Sequence, residues 1–162
     1  MEASGEDSST MVQHDDSPRI YNGHESRVVD EKNRLNIPAR WRDARYAEFH
    51  ALPDSNNPCL KLLNADELRR MKRTLDDSKE FTPAQKKMFR RRWFSRAMPC
   101  PLDKQGRIVV PPDLQGRYKF SGEVVIVGAC ECLELWRPED WEGEQSQDAD
   151  ATVDSMAESL GF

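Results

Sequence analysis

Apolar positions in this chain come mostly in short runs set off by turn residues, a pattern that predicts strands more than long helices. Glu25 to Val29 leads into the polar stretch Asp30-Glu31-Lys32-Asn33, and Arg34 to Ile37 follows. Both runs read as strands around a tight loop, and Pro38 favours a helical start at Ala39 and Arg40. The same order returns later, where Leu102 precedes Asp103-Lys104-Gln105-Gly106, followed by Arg107 to Val110 and Pro111-Pro112. Phe49 to Leu52 with Cys59 to Leu63, and Val124 to Val127 with Cys132 to Trp136, predict a further hairpin in each half. Between the halves the period becomes helical. Asn64 with Glu67 reads as a capping box before Leu68, Met71 and Leu75, and Thr82-Pro83 with Gln85 reads as a second before Met88, Phe89, Trp93 and Ala97. These two helices are expected to end near Asp77 and Ala97.

The likeness of the halves is an internal repeat. Residues 30–38, DEKNRLNIP, align without a gap on residues 103–111, DKQGRIVVP, at an offset of 73. That offset also places Cys59-Leu60-Lys61-Leu62-Leu63 on Cys132-Leu133-Glu134-Leu135-Trp136, and Asp66-Glu67-Leu68 on Glu139-Asp140-Trp141. Asn33 and Gly106 occupy one repeat position, and these residue types best tolerate positive φ, so the two loops are expected to share a backbone shape.

Charge changes this picture in one respect. The net charge of the 162 residues is −5, yet residues 1–18 carry −5 and residues 142–162 carry −6, with no Lys or Arg in either stretch. The segment between them therefore carries +6, and a basic body suits a nucleic-acid partner. Both acidic ends are rich in Ser, Asp, Glu and Gln and poor in aromatic residues, so both are expected to be disordered. The longest apolar run, Val124 to Cys130, is far short of the about 20 residues that span a bilayer, and the N-terminus has no secretory pattern. A cytoplasmic protein is the expectation.

Catalytic and metal chemistry find little support. Cys59, Cys100, Cys130 and Cys132 lack the paired spacing of a structural zinc site, and Cys59 and Cys132 sit in apolar runs as small hydrophobes. His14, His24 and His50 have no arrangement with a nucleophile, and the phosphate-binding patterns GxGxxG and GxxxxGK[ST] do not occur. No enzyme activity, metal or cofactor is expected. Basic residues of the second predicted helix, Lys86, Lys87, Arg90, Arg91, Arg92 and Arg96, are spread around its circumference, which favours pairing with nearby acids over reading a DNA groove. The repeated loops are the better candidates. Asp30 and Asp103, opening each loop, are expected to bond the backbone amides that follow. Lys32, Arg34, Lys104 and Arg107 can present cations beyond the strands, and Arg offers bidentate donors to a guanine edge. Turn bracing by Arg34 and Arg107 remains an equal alternative on the residues alone.

The pair DEKNRLNIPARW and LDKQGRIVVPP, followed at fixed distances by CLKLL and CLELW, resembles the MraZ family of bacterial transcriptional regulators over about residues 20–142. The resemblance implies a β-rich α+β fold of two tandem AbrB-like units that swap hairpins into a double-split β-barrel, with inserted helices. On it the chain divides into an acidic tail at 1–19, unit 1 at 20–70, a helical insertion at 71–96, unit 2 at 97–142 and a second tail at 143–162. It further implies a nucleoid-associated homo-oligomeric ring that binds double-stranded DNA at direct repeats upstream of the division and cell-wall gene cluster, with a repressor as the expectation. By position, the family's DNA contacts correspond to Lys32, Arg34 and Arg107, while Asn33 stands where the family usually has Gly. The alternative is a protein-interaction module like the AbrB-type antitoxins, with only weak DNA binding.

Overall fold

A computed structural model describes residues 17–162, so the expectation for residues 1–16 lies outside it. In chain order the strands are β1 (His24–Val29), β2 (Arg34–Asn36), β3 (Glu48–Pro53), β4 (Leu60–Leu63), β5 (Met98–Pro101), β6 (Arg107–Val109), β7 (Gly122–Gly128) and β8 (Leu133–Trp136). The helices are α1 (Ala65–Asp77), α2 (Pro83–Phe94), α3 (Pro112–Tyr118), α4 (Pro138–Glu144) and α5 (Gln147–Leu160), and a one-turn 3₁₀ helix spans Ala39–Trp41. Six strands form an antiparallel sheet in the order β1-β7-β8-β4-β3-β5, and β2 and β6 pair as a separate antiparallel ribbon. The fold is mixed α+β, with a mostly antiparallel sheet and five α-helices among the described residues.

The 73-residue offset has a direct structural meaning. In the central pair, Leu60 lies opposite Leu135, Lys61 opposite Glu134 and Leu62 opposite Leu133. Leu60 thus faces the repeat equivalent of Leu62 and Leu62 that of Leu60, while Lys61 faces its own equivalent, an opposite-charge cross-strand pair. In the ribbon, Leu35 faces its own equivalent, Ile108. A local two-fold relation therefore passes between β4 and β8 and between β2 and β6. The halves also interlock at the sheet edges, because β1 pairs with β7 and β5 with β3.

Leu35, Ile37, Phe49, Leu60, Leu62, Ile108, Val110, Ile126, Leu133 and Leu135 share one buried core with Trp41 and Phe120. Burying a side chain of this size contributes about 1.5–3 kcal/mol. A ribbon of only three residue pairs is marginal alone, so Leu35 and Ile108, both essentially inaccessible, are what fix it to the body.

Three expectations change. Residues 143–162 are not a disordered tail: Ser146 accepts from the Ala149 amide, Asp148 and Asp150 sit in the first turn of α5, and Gly161 closes it at φ 80°. Their acidity argues against a core, and no residue of α5 is buried, but it does not argue against a capped helix. Helix α1 runs across the boundary drawn at 70/71, since its first turns are the repeat equivalent of α4 and only its later turns are insertion. Of the expected capping box at its start only half forms: Asn64 accepts from the Glu67 amide, while the Glu67 carboxylate takes Arg70 at 2.6 Å. The second box, Thr82 with Gln85, is complete, and α2 ends at Phe94, three residues before Ala97. At the other end, Arg19 lies 4.0 Å from Asp43, so the N-terminal segment meets the body by that residue.

Candidate nucleic-acid interface

Both repeated loops fold by the same local chemistry. Asp30 Oδ1 accepts from the amides of Lys32 at 2.9 Å and Arg34 at 2.8 Å, and Asn33 takes φ 60°. Asp103 Oδ1 likewise accepts from Gln105 at 2.8 Å and Arg107 at 2.9 Å, with Gly106 at φ 78°. Each Asp amide donates to the carbonyl of the Arg four residues on, and each positive-φ amide donates back to the Asp carbonyl. Asp30 and Asp103 are both held below the ordinary carboxylate range, first by the Arg34 and Arg107 amides respectively and further by the guanidinium groups. The loops also fasten each other, since Ile37 donates to the Gly106 carbonyl at 2.9 Å and Val110 to the Asn33 carbonyl at 2.8 Å.

This arrangement decides where the arginines point. Arg34 Nε donates to Asp30 Oδ2 at 2.6 Å and Arg107 Nε to Asp103 Oδ2 at 2.9 Å. Neither guanidinium makes another hydrogen bond among the described residues, so both Nη groups of each stay available. Turn bracing and outward presentation are therefore compatible, one nitrogen serving the turn and two facing away. Because Leu35 and Ile108 turn inward, their neighbours Arg34, Asn36, Arg107 and Val109 share the outer face of the ribbon. The antiparallel register puts Arg34 and Arg107 at opposite ends of it. Lys32 and Lys104 are exposed at the loop tips with no ion-pair partner among the described residues.

One further basic residue reaches the second loop from outside the ribbon. The Arg42 guanidinium rests on the second loop, so that a Cβ built on Gly106 would lie 2.4 Å from Arg42 Nη1. At the repeat offset of 73 its position is held by Gln115, which is uncharged, and Arg42 follows the 3₁₀ turn of one half where it meets the loop of the other. The only sequence signal was its position directly after DEKNRLNIPARW.

Elsewhere the cations are more occupied. On α2, Lys86 Nζ donates to the Asp76 carbonyl at 2.8 Å and Arg90 pairs with Asp76 Oδ1 at 3.0 Å, so part of that basic set is spent on α1. Cys59, Cys100 and Cys132 are buried, and burial pushes the Cys132 thiol up to about 12. Cys59 Sγ lies 3.6 Å from Glu134 Oε2 and 3.8 Å from Asp54 Oδ2, but Asp54 is already taken by the Asn56 and Asn57 amides and Glu134 by Trp136. None of the described helices is long and apolar enough to cross a membrane.

The chain is similar over most of its length to known proteins. The family described as "MraZ protein, putative antitoxin-like" matches residues 93–160. "Transcriptional regulator MraZ" of Desulforamulus reducens is 33% identical over 141 residues, covering 87% of this chain and 97% of the relative. The protein of that name from Heliobacterium modesticaldum is 33% identical over 141 residues, covering 87% and 96%. That from Caldanaerobacter subterraneus subsp. tengcongensis is 30% identical over 138 residues, covering 85% and 94%.

Proposed function

Given that the chain belongs to the MraZ family, we propose that it is a transcriptional regulator whose β2–β6 ribbon binds double-stranded DNA in a sequence-dependent way. The observation that carries this reading is the pair of loops that pin Arg34 and Arg107 by Nε and leave their Nη groups unpaired on one outward face. Such groups match the O6 and N7 acceptors of guanine, and Lys32, Lys104 and Arg42 supply phosphate contacts around them. Asp30, Asn33, Asp103 and Gly106 build the loops without touching DNA. The body is taken as two tandem AbrB-like units with exchanged hairpins, the regulator as a nucleoid-associated cytoplasmic repressor.

Two short loops read too few bases to select one promoter among the about 10⁶ or more competing sites in a genome. Several chains must read together, as a ring-shaped homo-oligomer on direct repeats about one helical turn apart. Titration against duplexes from the region upstream of the division and cell-wall genes tests the reading. Tight, sequence-dependent binding is expected, with a 5 bp insertion between repeats costing far more than a 10 bp insertion, by the same helical geometry. Equal affinity for random duplex would overturn it. The family description also carries the word antitoxin, which keeps a second reading, a protein-binding module. A stoichiometric co-purifying protein in place of DNA binding would favour that one.

A further inference from the structure

The two-fold relation between the halves leaves the ends of the β2–β6 ribbon alike in their arginines and unlike in what stands beside them. At the offset of 73 Arg34 is equivalent to Arg107, whereas Asn36 is equivalent to Val109. The register sets Val109 opposite Arg34 and Asn36 opposite Arg107. Ile37 donates to the Gly106 carbonyl and Val110 to the Asn33 carbonyl, so the hydrogen-bonded positions of the ladder are 33/110, 35/108 and 37/106. The two outward pairs therefore fall at non-hydrogen-bonded positions, where side chains stand closest, with Cβ atoms about 4.5–5.5 Å apart. Neighbours at that distance can address successive base pairs, which rise about 3.4 Å.

Chemically the two pairs differ. Val109 is 51% exposed, an apolar group on a ribbon face otherwise made of two arginines and an asparagine. Its methyl groups gain by packing against another apolar group, and the apolar group that a base pair shows in the major groove is the thymine C5-methyl. Asn36 is exposed as well, and it is pinned as the arginines are, its Nδ2 donating to the Gln105 carbonyl in the second loop at 3.3 Å. One Nδ2 hydrogen and Oδ1 are left with no partner among the described residues. A carboxamide so held matches adenine, accepting from N6 and donating to N7.

We propose that the two ends of the ribbon read different base steps: Arg34 with Val109 a guanine next to a thymine, and Arg107 with Asn36 a guanine next to an adenine. Val109 and Asn36 are thus specificity-determining residues, while the arginines contribute alike at both ends. A ribbon with like ends would fit its element equally well in two orientations. The unlike pair gives the element a direction and favours one orientation of each chain. This inference rests on the proposed DNA reading and deepens it.

Modified bases in a bound duplex test it with the full-length protein. Each thymine is replaced in turn by deoxyuridine, which lacks only the methyl, and each adenine by 7-deazaadenine, which lacks N7. For the wild type, deoxyuridine at one thymine next to a guanine is expected to cost about 4-fold in affinity, the worth of one buried apolar carbon. For Val109→Ala the same replacement is expected to cost nothing. At one adenine next to a guanine, 7-deazaadenine is expected to cost the wild type about 2- to 12-fold, the range of one hydrogen bond, and to cost Asn36→Ala nothing. Both residues are exposed, so neither variant removes core packing, and the wild-type series is decisive even without them. A duplex bound in a sequence-dependent way in which these replacements leave the wild type unaffected, or cost wild type and variant alike, would overturn the inference and leave the arginine reading standing. A wild type that binds cognate and random duplex equally would overturn that reading, and the inference with it.

Discussion

The loop at Asp30–Arg34 and the loop at Asp103–Arg107 carry the same hydrogen bonds to within 0.3 Å, yet they reach one shape under different constraints. In the first, Asn33 occupies the positive-φ position with a side chain; in the second, Gly106 lies beneath the Arg42 side chain, which a Cβ would have to displace. The repeat thus preserves the turn chemistry, while the surroundings decide which residue may sit in the turn. Where the two-fold relation holds, the halves are interchangeable; where Arg42 crosses from one half to the loop of the other, they are not.

The largest expected effect tests the part the loops share. Arg34→Ala and Arg107→Ala should each weaken cognate DNA binding by about 1–3 kcal/mol, about 5- to 150-fold, with thermal unfolding nearly unchanged. The two losses should be similar if the ribbon reads DNA symmetrically. Anisotropy titrations of both variants would break the comparison if only one lost affinity, and would leave turn bracing as the sole role if neither did.

Next in size is the part they do not share. Gly106→Ala forces a Cβ into the left-handed region, at a cost of about 1–2 kcal/mol, and displaces Arg42 as well. Adding Arg42→Ala should recover only the portion due to crowding. Urea unfolding of the single and double variants separates the terms; identical midpoints would mean that Arg42 moves aside freely.

A third effect is common to both loops and follows from the lowered carboxyls of Asp30 and Asp103. A group whose acidity is raised by folding stabilises the fold fully above its ordinary value, here 3.8, and loses that contribution as pH falls through its lowered value. The Lys32 and Gln105 amides, which donate to these carboxylates, should therefore keep their shifted NMR positions down to below pH 3.8 and move together there. If one loop titrated at the ordinary value, the two would differ in more than their positive-φ residue.

What the residues disclosed and what they hid divides along the same line. Strand positions, the loop-opening Asp residues and the positive-φ positions at Asn33 and Gly106 are local, set by side-chain chemistry within a few residues, and so are readable from the chain. Arg34 and Arg107 could be placed in their loops but not aimed, because the single Nε bond that leaves Nη outward is a matter of geometry. Arg42 was invisible, since its contact with Gly106 depends on β2 pairing with β6 across the repeat. Helix α5 was misread because composition reports the lack of a core, whereas Ser146 and Gly161 report helix ends.

The smallest expected effect closes the comparison from the other side. Asn33→Gly removes a mild left-handed strain from the first loop but frees the unfolded chain, which costs about 0.4–1 kcal/mol. These changes oppose each other, because Asn is among the side chains that occupy the left-handed region most readily. Stability should therefore stay within about 0.5 kcal/mol of the parent, an ordinary range for surface changes away from special features. The reciprocal variant, Gly106→Asn, puts an equally tolerant residue at the same φ but must push against Arg42, whose Cδ lies 2.8 Å from the Cβ position. It should lose clearly more. Equal stability changes in the two variants, measured by urea unfolding side by side, would mean that the loops are interchangeable after all and that the Arg42 contact across the halves carries no energy.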